Sequence, residues 1–137
     1  MLVQMKRSAT IIVGPAFAHH QALEHFANDP LFIIKKDVPS LIKEFSDYDL
    51  AITGGGITPF EANASGLPCL IIANESWEID NAKILDELGT SCFVGHRDNF
   101  SLQCLNQPMD IASMSALGMK HIGIDACSKI YEVIQNS

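Results

Sequence analysis

What the chain lacks narrows it first. No apolar run approaches the roughly 18 residues that a membrane-spanning helix needs, and no signal peptide is read at the start. The cysteines Cys69, Cys92, Cys104 and Cys127 show no C-x-x-C spacing, and His19, His20, His25, His96 and His121 stand in no regular relation to them. Neither a metal site nor a dithiol redox motif is expected from that arrangement. Cys69 and Cys92 fall inside apolar strand-like runs, so they read as reduced, mostly buried thiols of a cytoplasmic protein. Basic residues are also scarce, 9 against 16 acidic for a net charge of -7. Lys6-Arg7 and Lys35-Lys36 are only pairs, and without a basic cluster a nucleic-acid surface or an anionic membrane is not an expected partner.

What is present is a chain of 137 residues, 47% hydrophobic, which suits one domain with a proper core. Short apolar runs over 9–13, 31–34, 50–53, 69–73 and 92–94 read as strands. Helical spacing lies between them, over 20–28, 59–64 and 77–88. A further helix is opened by Asp37-Val38-Pro39-Ser40, with Leu41, Ile42 and Phe45 as its buried stripe. Two terminal helices are expected over 111–119 and 124–134, the second with Ile130, Val133 and Ile134 facing the core. Residues 1–7 look like the last turn of a helix, and 100–108 look irregular. Apolar strands alternating with helices across short connections predict an α/β fold: a Rossmann-like parallel sheet of about five strands with helices on both faces.

One stretch organises the rest. Leu50 to Thr53 runs into Gly54-Gly55-Gly56, and Ile57-Thr58-Pro59-Phe60-Glu61 follows as a helix start. Thr58 suits an N-cap, Pro59 the first helical position, and Glu61 the reciprocal place in a capping box. Such a turn can serve close packing alone, or its N–H groups can receive a phosphate. Its place at the C-terminal end of a parallel strand is where ligands bind in such sheets. The third glycine of a dinucleotide fingerprint is missing, as is an acid some 20 residues on, and the P-loop lysine is absent too.

The segment from Asp49 to Ala62, with Gly66-Leu67-Pro68-Cys69-Leu70-Ile71-Ile72, Asn81-Ala82 and Leu88-Gly89, resembles the C-terminal domain of GT-B nucleotide-sugar enzymes. The nearest similarity is to the nucleotide-sugar hydrolases of pseudaminic acid biosynthesis and their relatives in spore-coat polysaccharide biosynthesis. The N-acetylglucosaminyltransferase that forms lipid II is more distant. Ile12-Val13-Gly14-Pro15-Ala16-Phe17 and Ile124-Asp125-Ala126-Cys127-Ser128-Lys129-Ile130 fit the first family as well, so the resemblance covers nearly the whole chain.

The resemblance implies UDP or a UDP-sugar as ligand and no cofactor. By position, Gly54, Gly55, Gly56 and Thr58 hold the diphosphate, Glu61 the ribose hydroxyls, Val38 the uracil through main-chain contacts, and Asn81 lies near sugar or phosphate. Pro59 is unusual in the motif helix, and Trp77 and Glu78 stand where the more distant relative has sugar-contacting glutamines. Trp77 is expected to pack on its own domain, with stacking on a sugar as the rival use. The family's catalytic histidine belongs to an N-terminal domain outside these residues. No catalytic residue is therefore expected here, and His19 and His20 read as surface residues.

The expectation is a single nucleotide-sugar-binding domain over 1–137, forming the C-terminal half of a two-domain UDP-sugar hydrolase or glycosyltransferase of cell-surface glycan biosynthesis. It would stabilise the UDP leaving group and turn nothing over alone. The rival is a non-catalytic nucleotide-binding module or the partner subunit of a bipartite transferase. A homo-oligomer stays open.

Overall fold

The computed structural model describes residues 7–101 and 103–136. The helical turn expected over 1–7 therefore lies outside the described residues, apart from Arg7. The chain divides into two compact units, Met1–Leu41 and Ile42–Ser137.

In the first unit, β1 (Ala9–Val13) and β2 (Phe32–Lys36) flank α1 (His20–Ala27). The two strands pair in parallel, Ala9 opposite Phe32 and Val13 opposite Lys36. Leu23 of α1 is buried, and Phe26 sets its ring edge against Phe32 at 5.0 Å between centroids. His19 and His20 are exposed beside the ring of Phe17. After β2 the chain turns at Asp37, whose φ of 54° is a left-handed value that aspartate tolerates better than most residues.

The next helix, α2 (Leu41–Glu44), is one turn long and tightens into a 3₁₀ turn over Phe45–Asp47. It begins later and ends sooner than expected. Of its anticipated stripe Phe45 alone is buried, while Ile42 is exposed.

The second unit carries β3 (Ala51–Thr53), α3 (Thr58–Ala64), β4 (Cys69–Ala73), α4 (Glu78–Glu87), β5 (Ser91–His96) and β6 (Asn99–Phe100). A 3₁₀ turn at Gln103–Asn106 and two helices, α5 (Ile111–His121) and α6 (Ala126–Gln135), follow. The strands form one sheet in the order β3-β4-β5-β6. β3, β4 and β5 are parallel, and β6 returns antiparallel on β5. β4 lies in the middle with Cys69, Leu70, Ile71 and Ala73 fully buried, as a near-continuous apolar run in a parallel sheet should be.

The single sheet of about five strands is thus corrected to two sheets, of two and four strands. An apolar run marks a strand but carries no information about which neighbour it pairs with. The irregular reading of 100–108 holds for most of its described residues, a 3₁₀ turn at Gln103–Asn106 included, but Phe100 belongs to a strand. Gly95 has a φ of 125°, a bulge leaves Val94 as the extra residue between the Phe93 and Gly95 pairings, and the chain folds straight back into β6. A two-residue strand has no periodicity to detect.

The predicted stop at Ser65-Gly66 is seen in full. Gly66, at φ 81°, donates its N–H to Asn63 O, and Leu67 donates to Ala62 O, the paired bonds of a Schellman closure. Gly89 and Thr90 close α4 in the same way on Asp86 and Leu85.

Asn63, on the last turn of α3, is buried and ties the helix to the sheet. Its Nδ2 donates to Leu67 O at 3.1 Å, its Oδ1 accepts from Ser91 Oγ at 3.1 Å, and that hydroxyl accepts from Cys69 N at 3.3 Å. α5 packs on α3 and starts properly, with Asp110 accepting from Ser113 N at 3.0 Å. In α6 the expected core face is corrected: Val133 and Ile134 are exposed, and the side chain of Ile130 lies outside the described set. An amphipathic pattern reports that a face is apolar, not that this chain covers it.

Among the described residues no helix is long and apolar enough to cross a membrane. Cys69 is buried and free, and Cys92 and Cys104 are free and half-buried. Burial pushes the Cys69 thiol up to about 11, partly offset by the hydroxyls of Thr53 and Ser91. Burial, then the neighbouring Cys104, pushes Cys92 up to about 12.

Two outcomes follow for this core. Asn63→Ala leaves Leu67 O and the Ser91 hydroxyl without their partner, so the urea midpoint should fall by the equivalent of about 1–3 kcal/mol. Because the folded Cys69 thiol holds its proton above its ordinary value of 9.0, its contribution is complete below that value and is lost as pH climbs toward about 11. Iodoacetamide at pH 8 should accordingly leave Cys69 unlabelled in the folded chain and modify it after urea unfolding, read by peptide mass.

Candidate functional site

The glycine turn leaves the C-terminal end of β3 where the sequence places it, and it enters α3 one residue earlier than expected. Ile57 already has helical dihedrals (φ -83°, ψ -26°) and is the N-cap, so Thr58 is the first helical residue and Pro59 the second. This overturns the Thr58–Glu61 capping box. With Thr58 inside the helix its hydroxyl no longer precedes the free donors, and Phe60 N and Glu61 N both bond Ile57 O, at 3.0 and 3.2 Å. Glu61 is half-buried, and the cap that rivalled any other use of its carboxylate is not made. Pro59 is fully buried and serves α3 as a packing residue beside Ala62 and Asn63.

The organising contact comes from the start of α4, across from the turn. Glu78 is only 8% exposed. Its Oε2 accepts the N–H of Gly55 at 3.0 Å and the N–H of Asn74 at 2.7 Å. One helical turn on, Asn81 Nδ2 donates to Gly55 O at 3.2 Å. Positions 78 and 81 lie on one face of α4 and hold both backbone polar groups of Gly55, its N–H by a carboxylate and its C=O by an amide.

The glycines are fitted to this approach. A Cβ on Gly55 would stand 2.7 Å from Glu78 Cβ and 2.8 Å from Glu78 O, and one on Gly54 would stand 2.6 Å from Asn74 Nδ2. Gly56 is different: the nearest atom to a Cβ there is Glu78 Oε1 at 3.7 Å. Close packing against the α4 backbone therefore accounts for Gly55, a side-chain amide alone crowds Gly54, and nothing crowds Gly56.

Gly55 and Asn74 sit just beyond the C-terminal ends of the adjacent parallel strands β3 and β4, and their N–H groups converge on one oxygen. This is an anion-accepting arrangement of backbone donors. Ile57 and Trp77, the residues next to the turn and to Glu78, are exposed, Trp77 at 62%. The expectation that Trp77 packs on its own domain is thereby corrected. The guanidinium of Arg97 stands at the same edge of the sheet: its backbone N–H bonds Ala73 O at 2.8 Å, and Nη1 lies 3.6 Å from Glu75 Oε1.

Of the residues implicated by sequence, Gly54, Gly55, Gly56, Thr58 and Glu61 lie on one continuous stretch, and Asn81 is brought to Gly55. Val38 belongs to the first unit, half-buried in the non-helical stretch between β2 and α2, three residues before the helix it was expected to head. The site described here is drawn from the second unit alone. Sequence reasoning noticed Glu78 only as a departure from a family pattern and missed Asn74 and Arg97. An acid at the first position of a helix is ordinarily solvated beside the positive end of the helix dipole, and no local pattern announces that this one is buried.

No protein-family model matches the chain, and no curated protein matches it by sequence. Among solved structures, the crystal structure of Acinetobacter baumannii MurG has a similar fold, with a TM-score of 0.77 at 18% identity over 99% of this chain. The likeness is to the MurG glycosyltransferase fold, of the GT-B class, and this chain spans 44% of the length of that one.

The geometry separates the glycines by experiment. Gly55→Ala should force α4 away from the turn and lower the urea midpoint by the equivalent of about 1–3 kcal/mol, as overpacking does. Gly56→Ala should leave the midpoint within about 0.5 kcal/mol of the unsubstituted chain, the usual range for a site without such contacts.

Proposed function

We propose that this chain is the nucleotide-binding half of a GT-B nucleotide-sugar enzyme of cell-surface glycan biosynthesis, with UDP or a UDP-sugar as ligand. The observation that carries this reading is the convergence of the Gly55 and Asn74 N–H groups on a single anionic oxygen beyond adjacent parallel strand ends. Backbone donors fixed in that way suit a phosphate oxygen. The fold shared with MurG and the motif resemblance from Asp49 to Ala62 support the same choice of ligand.

In this reading Gly54, Gly55, Gly56 and Thr58 form the diphosphate side of the site. Glu61, freed from the cap, receives the ribose hydroxyls. Asn81, which holds Gly55 O, positions the turn beneath the diphosphate. Fixed backbone dipoles aimed at the bridging and terminal oxygens of UDP would stabilise the charge that develops as the sugar departs. The group that attacks the sugar comes from outside these residues, on a companion domain or a partner subunit. The same donors would serve a bipartite transferase, in which this chain is the nucleotide-binding subunit, and its span of 44% of MurG suits either arrangement.

Calorimetric titration of the chain with UDP, using CMP and NAD as controls, tests the reading. UDP should bind and the controls should not, and Glu61→Ala should weaken UDP by about tenfold, the loss of one hydrogen bond to a charged group. Absence of UDP binding at millimolar concentration, or binding of all three nucleotides alike, would overturn it.

A further inference from the structure

The donors that carry the proposed site are already engaged. Glu78 sets one carboxylate oxygen against the N–H groups of Gly55 and Asn74, at 3.0 and 2.7 Å, in a position that is 92% buried by difference from its 8% exposure. Its other oxygen, Oε1, lies toward Gly56, 3.7 Å from where a Cβ on that residue would stand. Among the described residues no lysine, arginine or histidine pairs with Glu78; the ion pairs seen join His96 to Asp98, Arg97 to Glu75 and Lys129 to Asp125. Among the described residues, the hydrogen bonds seen to the carboxylate come from backbone N–H groups, as they would for a bound anion.

We infer that Glu78 is a built-in competitor for the phosphate subsite, a tethered carboxylate that occupies the turn's donors until a ligand phosphate displaces it. The inference rests on the nucleotide-sugar reading above and adds its regulation. A phosphate and a carboxylate cannot share two donors on one oxygen position, and two anions that close repel. Ligand entry therefore requires the Glu78 side chain to swing off Gly55 and Asn74. The rim it would swing toward is solvent-exposed, carrying Asn74, Glu75 and Trp77. When the ligand leaves, the carboxylate returns and keeps the donors satisfied, so the empty turn holds its shape. The cost is affinity, and the consequence is release. A nucleoside diphosphate product is expelled by a group that is always within reach.

Glu78→Gln is the direct test, because an amide oxygen can accept the same two N–H groups without the charge. Titrations with UDP, inorganic pyrophosphate and uridine should show UDP and pyrophosphate binding about tenfold tighter to Glu78→Gln than to the unsubstituted chain, the effect of removing one like charge a few ångströms away. Uridine, which has no phosphate, should bind both alike. UDP binding to the unsubstituted chain with no gain in Glu78→Gln would overturn the competitor and leave the nucleotide-sugar reading standing, with Glu78 as a structural pin. No UDP binding to either would overturn both.

Should Glu78→Gln not fold, resonance shifts in the unsubstituted chain decide. UDP should move the Gly55 and Asn74 amide signals together with the Glu78 side-chain carboxyl signal, and binding that leaves all three in place would overturn the inference.

Discussion

Taking a carboxylate out of water costs several kcal/mol unless other donors replace its hydration, and the second unit is arranged around meeting that cost for Glu78. The replacement is two backbone N–H groups from the ends of neighbouring strands. They can reach one oxygen only if β3 and β4 are parallel and adjacent, if the turn after β3 is narrow, and if α4 begins within van der Waals contact of that turn. Each condition has a visible cause. β4 is apolar on both faces and takes the middle of the sheet, Gly55 has no Cβ to obstruct the helix, and the Schellman closures at Gly66 and Gly89 return the chain to the sheet at set points. Removing any of these moves a donor away from the carboxylate.

A glycine turn between strand and helix has two competing explanations, packing and ligand binding, and here they divide by residue. Gly55 is required by the approach of α4 whether or not anything binds, while a Cβ on Gly54 would meet closely only the amide end of the Asn74 side chain. Gly56 meets no such demand, so a requirement for glycine there would have to come from a ligand. The resemblance to nucleotide-sugar enzymes treats the three as one motif. The structure separates them: Gly55 reports on stability as well as on any ligand, whereas Gly56 meets no close contact and is free to report on function alone.

Much of the fold was legible because it depends on local physics. The strands at 9–13 and 69–73 have the predicted limits, since a short β-branched or apolar run bounded by glycine and proline has few other conformations open to it. Helix ends set by Gly66 and Gly89 were legible for the same reason. What failed depended on partners. The pairing of strands into two sheets, the two-residue β6, and the exposure of Val133 and Ile134 are decided by what lies alongside, and no window of sequence contains it. The capping box failed by a single residue: Thr58-x-x-Glu61 fits the pattern, but the glycines let the backbone become helical at Ile57, which puts the pattern out of register. Of the site, the glycine stretch and Asn81 were legible. The buried acid that ties them together was not, because burial of Glu78 arises from a contact across 23 residues.

That long contact bears on how the turn can move. Glu78 holds the N–H of Gly55 and Asn81 holds its C=O, so the peptide planes on both sides of Gly55 are set by α4 rather than by the turn's own preferences. Glycine residues left to themselves sample a wide range of dihedrals, and a free triple-glycine turn would bind a phosphate only after the entropy of ordering it had been overcome. Two side chains on one face of α4 remove most of that disorder in advance. Their roles differ once an anion arrives, because Asn81 bonds a carbonyl that no phosphate would contact, whereas Glu78 bonds an N–H that a phosphate needs. In the proposed exchange one clamp stays closed while the other opens, and the turn would trade an internal anion for an external one without losing the conformation that holds either.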